Sequence, residues 1–569
     1  MSSIVDPFPS PTWRFVPSDT DAGAWPKLER LFDELQHRRL ANNDDLLGWL
    51  SDESELQSRI AAEQARRYVA MTRRTDDPVA KAAYLAMEND VIPKVKVRSD
   101  ELDRRLLASP AIAQLGPEFE VVLRRRRTQV ALFRADNTEL QREEADLQTQ
   151  QQALVAGVTV EFEGRTLTLQ QVAPFLESQD RPHREAAYRA ALAARRLIWS
   201  PAEVLFDRLI ELRTQIGRNA GFTTYTPFRF QDLGRYDYDA QTCRQLHDAI
   251  AEHVVPAVRM LDRERAERLG VAQLRPWDLD VDTEGRPPLR PFSTEVELIE
   301  LCRKLLAAVD PEFADWLLEL RRRDLLDLMS RKGKAPGGYQ YQLEDERVPF
   351  IFANSVGLHG DVQTLMHESG HAMHSLLCRH HALLQLRDYP IEIAETASMS
   401  MELLGLEHIG LVYSPADASR TRKKHLEHVL RTLTWIASID AFQHWVYAQP
   451  RHSHEERRVA WLDIRRRFGG AIDWSGLEDA LAMQWIAQSH LFTHAFYYIE
   501  YGIAQLAALQ VWRRYRRDPR AALGNYRRAL SLGGSKPLPE LFAALDVRFD
   551  LSTNMVGELV ADVVRALRE

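Results

Sequence analysis

Residues 361–374 read Asp-Val-Gln-Thr-Leu-Met-His-Glu-Ser-Gly-His-Ala-Met-His, and the spacing His367-Glu368-x-x-His371 within them constrains the chain more than any other feature. Side chains four apart on an α-helix are neighbours on one face. A helix here therefore presents two imidazoles that can reach one tetrahedral cation. Glu368 stands beside them, close enough to take a proton from a water that the cation activates. The pattern implies zinc-dependent hydrolysis of the peptidase kind and demands a helix through this stretch. The competing expectation is a helical histidine pair that decorates a surface, so the rest of the chain has to supply a third ligand.

Bulk properties narrow the partners. The 569 residues carry 74 Lys and Arg against 82 Asp and Glu, a net charge of −8. That balance argues against nucleic acid or an anionic membrane as the main partner. A chain of this length predicts two or three subdomains. No apolar run approaches the roughly 18 residues that a membrane helix needs. Cys243, Cys302 and Cys378 are few, odd in number and scattered, which predicts neither a disulfide framework nor a thiolate metal cluster. The opening Met1-Ser-Ser-Ile-Val-Asp-Pro-Phe-Pro9 lacks a basic n-region and an apolar h-region. A soluble, cytoplasmic protein is expected. The basic run Arg124–Arg127 predicts a solvated helix face.

Helical periods dominate from residue 28 onward, with Leu28, Leu31, Phe32 and Leu35 on one face. Residues 118–156 have no Gly or Pro and predict one long helix packed on a narrow stripe, ended by Gly157. Val158–Phe162 and Arg165–Leu169 alternate around Glu163-Gly164, which predicts a β-hairpin. The main boundary is placed at 197/198, giving an N-terminal helical domain over 1–197 and a catalytic domain over 198–569. Gly338–Gln342 and Val348–Ala353 are the clearest strand signals before the histidine helix. Pro349 lacks an amide donor and suits an edge strand, and an exposed edge there can accept an extended peptide by strand addition. Arg331–Gly338 is not a phosphate loop, because Leu328 and Ala335 stand where Gly and Ser or Thr are required.

The third ligand must come from downstream, where Glu392, Glu395, Glu402 and Glu407 are the candidates. Residues 391–404 have a helical period starting after Pro390, and place Glu395, Ser398 and Glu402 on one face at i, i+3 and i+7. Ala394 and Ala397 are small enough to let that helix pack close to a neighbour. His-Glu-Ser-Gly-His-Ala-Met-His followed by Glu395-Thr-Ala-Ser398-x-x-x-Glu402 resembles the thimet oligopeptidase and oligoendopeptidase F family. Arg275–Asp278, Gly333–Tyr339, Asp440–His444 and Gly533–Pro539 are similar to its oligoendopeptidase F branch, so the resemblance spans roughly residues 110–569.

The resemblance implies a zinc ion held by His367, His371 and Glu395, with Glu368 as general base and His374, Ser398 and Glu402 as supporting polar residues. A ligand histidine usually gives its second nitrogen to an acceptor, for which Glu402 and Asp361 are the candidates. The family pattern also suggests close packing at Gly370. His490, His494, Tyr498 and Tyr501 fall at i, i+4, i+8 and i+11, a polar stripe on an otherwise apolar helix; read alone, such a stripe is a satisfied core network. The resemblance instead puts His490, Tyr498 and Tyr501 over the substrate, with Tyr497 competing for the place of Tyr498. His380, His381, His425, His428, His452 and His454 are expected at the surface.

The fold so implied is mainly α: a two-lobed, zincin-type metallopeptidase with a small β element at the active site and a deep substrate channel. The implied function is an endopeptidase acting on short oligopeptides. A zinc carboxypeptidase with the same metal motif and a non-catalytic helical peptide-binding protein are the alternatives. The sequence gives no oligomeric state.

Overall fold

The structure, a computed structural model, describes residues 6–569. The first five residues of the N-terminal stretch read above lie outside the described residues. The fold is mainly helical, with two small sheets. In chain order, the elements that matter here are helices α1 (Asn43–Arg73), α2 (Glu120–Leu132) and α3 (Asn137–Ala156), then strands β1 (Thr159–Phe162) and β2 (Arg165–Thr168). Helices α4 (Arg181–Asn219), α5 (Ala240–Ala249) and α6 (Glu295–Val309) precede strands β3 (Leu326–Met329), β4 (Tyr339–Leu343) and β5 (Val348–Ser355). Helices α7 (His359–Cys378), α8 (Ile391–Glu407), α9 (Pro415–Ala448), α10 (Ile499–Tyr515) and α11 (Pro519–Ser531) follow.

The chain forms two compact units, each assembled from three separated segments. One combines the segment ending at Phe133 with Arg290–Ala418 and Ala507–Phe549, and the other combines Arg134–Leu289 with Ser419–Leu506 and Asp550–Glu569. Helix α4 runs through the division expected at 197/198, with Pro201 inside it. The long helix expected over 118–156 is two helices. Phe133 leaves helical geometry at ψ 129° and α3 begins four residues on, where the chain passes from the one unit to the other. No Gly or Pro marks that break.

In the first unit, β5 is the middle strand, parallel to β3 and antiparallel to β4. This corrects the reading of Pro349 as an edge residue. Pairing with β3 begins only at Ile351, opposite Leu326, so at Pro349 the strand still has a neighbour on the β4 side alone. The missing amide costs nothing where no acceptor faces it. The β4 strand is an edge of this sheet. Lys334 is committed to structure, its ammonium bonding the Asp327 carboxylate at 2.9 Å and the backbone carbonyls of Asp327, Met329 and Ala353. Within Arg124–Arg127, Arg126 departs from the expected solvated face: it is buried, bonding Glu53 at 3.0 Å and also Asp103. Two carboxylates compensate a guanidinium that water cannot reach.

In the second unit the expected hairpin is present, β1 pairing β2 from Thr159 opposite Thr168 to Phe162 opposite Arg165. Its turn residues Glu163 and Gly164 both have positive φ, 50° and 69°, as a two-residue type I′ turn requires. The hairpin packs on α4, burying Val160 against Ala187 and Ala191.

Candidate metal centre

Helix α7 is launched by Asp361, whose Oδ2 accepts the amides of Val356, Gly357 and Leu358 at 2.8, 2.9 and 2.9 Å. A carboxylate in the first turn also complements the helix dipole. Asp361 is therefore a cap, which removes it as a candidate partner of a histidine ligand. Further along the helix, His367 and His371 project from the same face, their ring centroids 4.9 Å apart.

Helix α8 lies against α7 at very short range. A Cβ on Gly370 would stand 2.5 Å from Ser398 Cα and 2.7 Å from the Ala397 carbonyl oxygen, so only glycine permits this approach. That contact brings Glu395 over the two imidazoles. Its Oε2 is 3.4 Å from His367 Nε2 and 3.5 Å from His371 Nε2. Glu402, two turns along the same helix, meets His367 Nδ1 at 2.7 Å. Ser398 donates to Glu395 Oε2 at 3.0 Å. Of the four candidate glutamates, Glu395 has the geometry of a third ligand and Glu402 that of the carboxylate behind a ligand histidine.

The donor set can be tested against a cation. A tetrahedral zinc with bonds of about 2.0–2.1 Å requires ligand atoms roughly 3.3–3.4 Å apart. The two measured separations, 3.4 and 3.5 Å, have that size. Two imidazoles and one carboxylate also form the three-ligand set of a zinc site that keeps a fourth position open. The residues present fit the ion.

Electrostatics divide these groups. Burial disfavours charge on Glu395 and Glu368 alike, yet Glu395 is held down to about 2 by the neighbouring imidazoles and Ser398 against that penalty. Burial pushes Glu368 the other way, up to about 7, opposed by the charge of His367. Glu368 is thus a carboxyl with proton affinity near neutrality, suited to accepting and returning a proton. A Cβ on Gly338, just before β4, would stand 3.7 Å from Glu368 Oε1, so the β4 edge runs close to this carboxyl.

His374 departs from the expected polar support. It is fully buried, neither ring nitrogen has a hydrogen-bond partner among the described residues, and it stacks on Tyr389 with centroids 3.6 Å apart. Tyr389, which also meets Ser375 Oγ at 3.1 Å, was not singled out in the sequence. Its position just before Pro390 and the start of α8 is the only signal it gives.

The polar stripe lies in the second unit and is not one helix. Residues His490–Thr493 form a single turn, Phe496 adopts φ 62°, and α10 starts only at Ile499. The break still gathers the group: the His490 ring is 5.7, 5.2 and 6.0 Å from those of Tyr497, Tyr498 and Tyr501. Gln488 bonds His490 Nδ1 at 2.6 Å and accepts from Trp435 Nε1 at 2.8 Å. Burial raises the Tyr498 hydroxyl to about 12, so it remains a donor. Among the histidines expected at the surface, His425 is buried, and His454 pairs with Asp207 at 2.7 Å.

Fold and comparisons define the class: this chain is a metalloendopeptidase. It belongs to peptidase family M3, whose model matches residues 175–560, and within it to the oligoendopeptidase F branch. It is 22% identical to an oligoendopeptidase F homolog of Mycoplasma pneumoniae, over 79% of this chain and 77% of that one. It is 24% identical to oligopeptidase PepF of Bacillus subtilis over 41% of this chain, a stretch covering 35% of that protein. A solved structure of PZ peptidase A with an inhibitor superposes with a TM-score of 0.91 at 28% identity, covering 98% of this chain and 99% of that one. The oligoendopeptidase F of Enterococcus faecium shares the fold, with a TM-score of 0.61 at 15% identity over 96% of each chain.

Proposed function

We propose that this peptidase is zinc-dependent, that His367, His371 and Glu395 hold one zinc ion per chain, and that its substrates are short oligopeptides cut internally. The observation carrying the proposal is the triangle of donor atoms, with Glu395 Oε2 at 3.4 and 3.5 Å from the two imidazole nitrogens. When bound, zinc supplies a Lewis acid that polarises a peptide carbonyl and acidifies water.

Glu368 is the general base. Its carboxyl, raised to about 7 by burial, takes the proton of the attacking water and returns it to the departing amine. Glu402 holds His367 by Nδ1, leaving Nε2 to the cation. The β4 edge beside Glu368 offers backbone groups to an extended peptide, which favours chain segments over folded proteins. His490, Tyr498 and Tyr501 are proposed as donors to the carbonyl oxygen as negative charge develops there. The described residues contain no helix long and apolar enough to cross a membrane. Three free, buried thiols fit a reducing cytoplasm, where peptide turnover is the proposed role.

The test uses a quenched fluorescent peptide. Glu368→Gln is expected to lower kcat by at least about 10²–10⁴-fold, the contribution of a positioned base, with zinc content unchanged. Undiminished turnover would refute the assignment. Mass spectrometry of the products separates internal cuts, as proposed, from the stepwise C-terminal trimming of a carboxypeptidase.

A further inference from the structure

A second group of metal-binding side chains lies wholly within the second unit and shares no residue with the His367 cluster. Cys243 and His247 stand four apart on α5, and Asp440 and His444 stand four apart on α9, so each pair occupies one helix face. The two faces meet. Cys243 Sγ, a carboxylate oxygen of Asp440 and a ring nitrogen of His444 all lie within 4.8 Å of one another. His247 Nε2 is 2.9 Å from Asp440 Oδ2, and His444 Nε2 is 3.3 Å from the same oxygen.

The surroundings are dry. Cys243 and Asp440 are 0% exposed, and the rings of Phe230, Phe468 and Phe496 contact the two histidines. Inside this apolar wall Asp440 Oδ1 has no hydrogen-bond partner among the described residues. Buried polar atoms are normally satisfied, and an unmet one carries its full desolvation penalty. Arg235 acts on Cys243 electrostatically, but its guanidinium is bonded to Glu500 at 2.7 and 3.0 Å and so answers that carboxylate. The contact of His444 with Asp440 uses Oδ2 alone and leaves Oδ1 unmet. A divalent cation engages thiolate, carboxylate and imidazole together.

We propose that Cys243, Asp440 and His444 bind a second divalent cation of the zinc type, with the carboxylate oriented by His247. One sulfur, one nitrogen and one oxygen donor suit a borderline-soft ion and exclude calcium and magnesium, which take oxygen ligands. The N–H of His247 on Asp440 Oδ2 is the outer-shell bond that fixes a ligating carboxylate. The sequence predicts no thiolate cluster, and this site draws on a single cysteine. The signal was present as two i, i+4 pairs, Cys-x-x-x-His and Asp-x-x-x-His, separated by nearly 200 residues.

The test loads the full chain with cobalt in place of zinc. The wild-type protein is expected to bind two equivalents and to show near-ultraviolet thiolate-to-cobalt charge transfer. Glu395→Ala should lower the stoichiometry to one and keep that band, and Cys243→Ala should lower it to one and lose the band. Cys302 and Cys378 cannot supply the band from this site, since their sulfurs contact the Val362 and Ser375 carbonyls. A wild-type stoichiometry of one, abolished by Glu395→Ala and with no thiolate band, would overturn the proposal without touching the assignment of the first site. Should Cys243→Ala not fold, the wild-type and Glu395→Ala spectra decide the matter alone.

Discussion

His367 has a carboxylate at each ring nitrogen, Glu402 at 2.7 Å from Nδ1 and Glu395 at 3.4 Å from Nε2. The bond at Nδ1 fixes the tautomer and turns Nε2 toward the ligand position. Glu402→Ala is therefore expected to weaken zinc binding by about 10–100-fold, measured by competition with a chelator on folded protein. Affinity equal to the wild type would reduce Glu402 to an ordinary helix contact. The residues that could be named from sequence are those that fall in step with other polar residues on their own helix. His367 and His371 are one turn apart, and Ser398 and Glu402 sit three and seven positions after Glu395 on one face. His374 could not be read this way, because what it meets is the ring of Tyr389, from outside its own helix.

At the scale of elements, the centre depends on how closely α7 and α8 approach. A methyl group on Gly370 would collide with backbone atoms of α8, Ser398 Cα at 2.5 Å and Ala397 O at 2.7 Å, and backbone cannot swing aside as a side chain can. Gly370→Ala should cost about 1–3 kcal/mol through overpacking, seen as a lower melting temperature. The displaced α8 should carry Glu395 away from the imidazoles, so zinc content should fall with it. A variant with full zinc and unchanged melting would show that the two helices slide freely. The elements misread in sequence share one cause, that conformation was decided elsewhere in the fold. Pro349 looks like an edge residue because the stagger between β3 and β5 is written in neither strand. The stripe from His490 to Tyr501 looks like one helix because Phe496, held at φ 62°, is not a residue type that announces left-handed backbone.

Across the whole molecule the three cysteines share one condition. All three are buried, and burial raises the thiol of Cys378 to about 12 and also pushes up that of Cys302. The thiolate is the reactive form. A disulfide-exchange reagent at pH 8 should accordingly find no thiol in the native enzyme and three after denaturation, and a native thiol titrating at once would contradict their burial. Removal of the metal should lower the melting temperature, since an ion that binds only the folded chain stabilises it by about 4 kcal/mol at a thousandfold excess over Kd. The mainly helical class was legible because apolar periods are local. The partition of the chain was not, because the units are interleaved and no composition shift marks where the chain leaves one and returns.

That interleaving sets an order of events at birth. The first unit needs Ala507–Phe549, yet 373 residues, 134 to 506, separate its opening segment from that piece. At about 5–20 residues per second, a nascent chain waits roughly 20–75 s between making the two. Throughout that interval the Trp49–Phe32 core has emerged while α11, whose Tyr526 hydroxyl bonds the Ala397 carbonyl beside Gly370, has not been synthesised. The bond that α11 gives to α8 beside Gly370 therefore forms only after residues 134–506 have been made, so a chain stalled before residue 507 is expected to hold its metal helices without it.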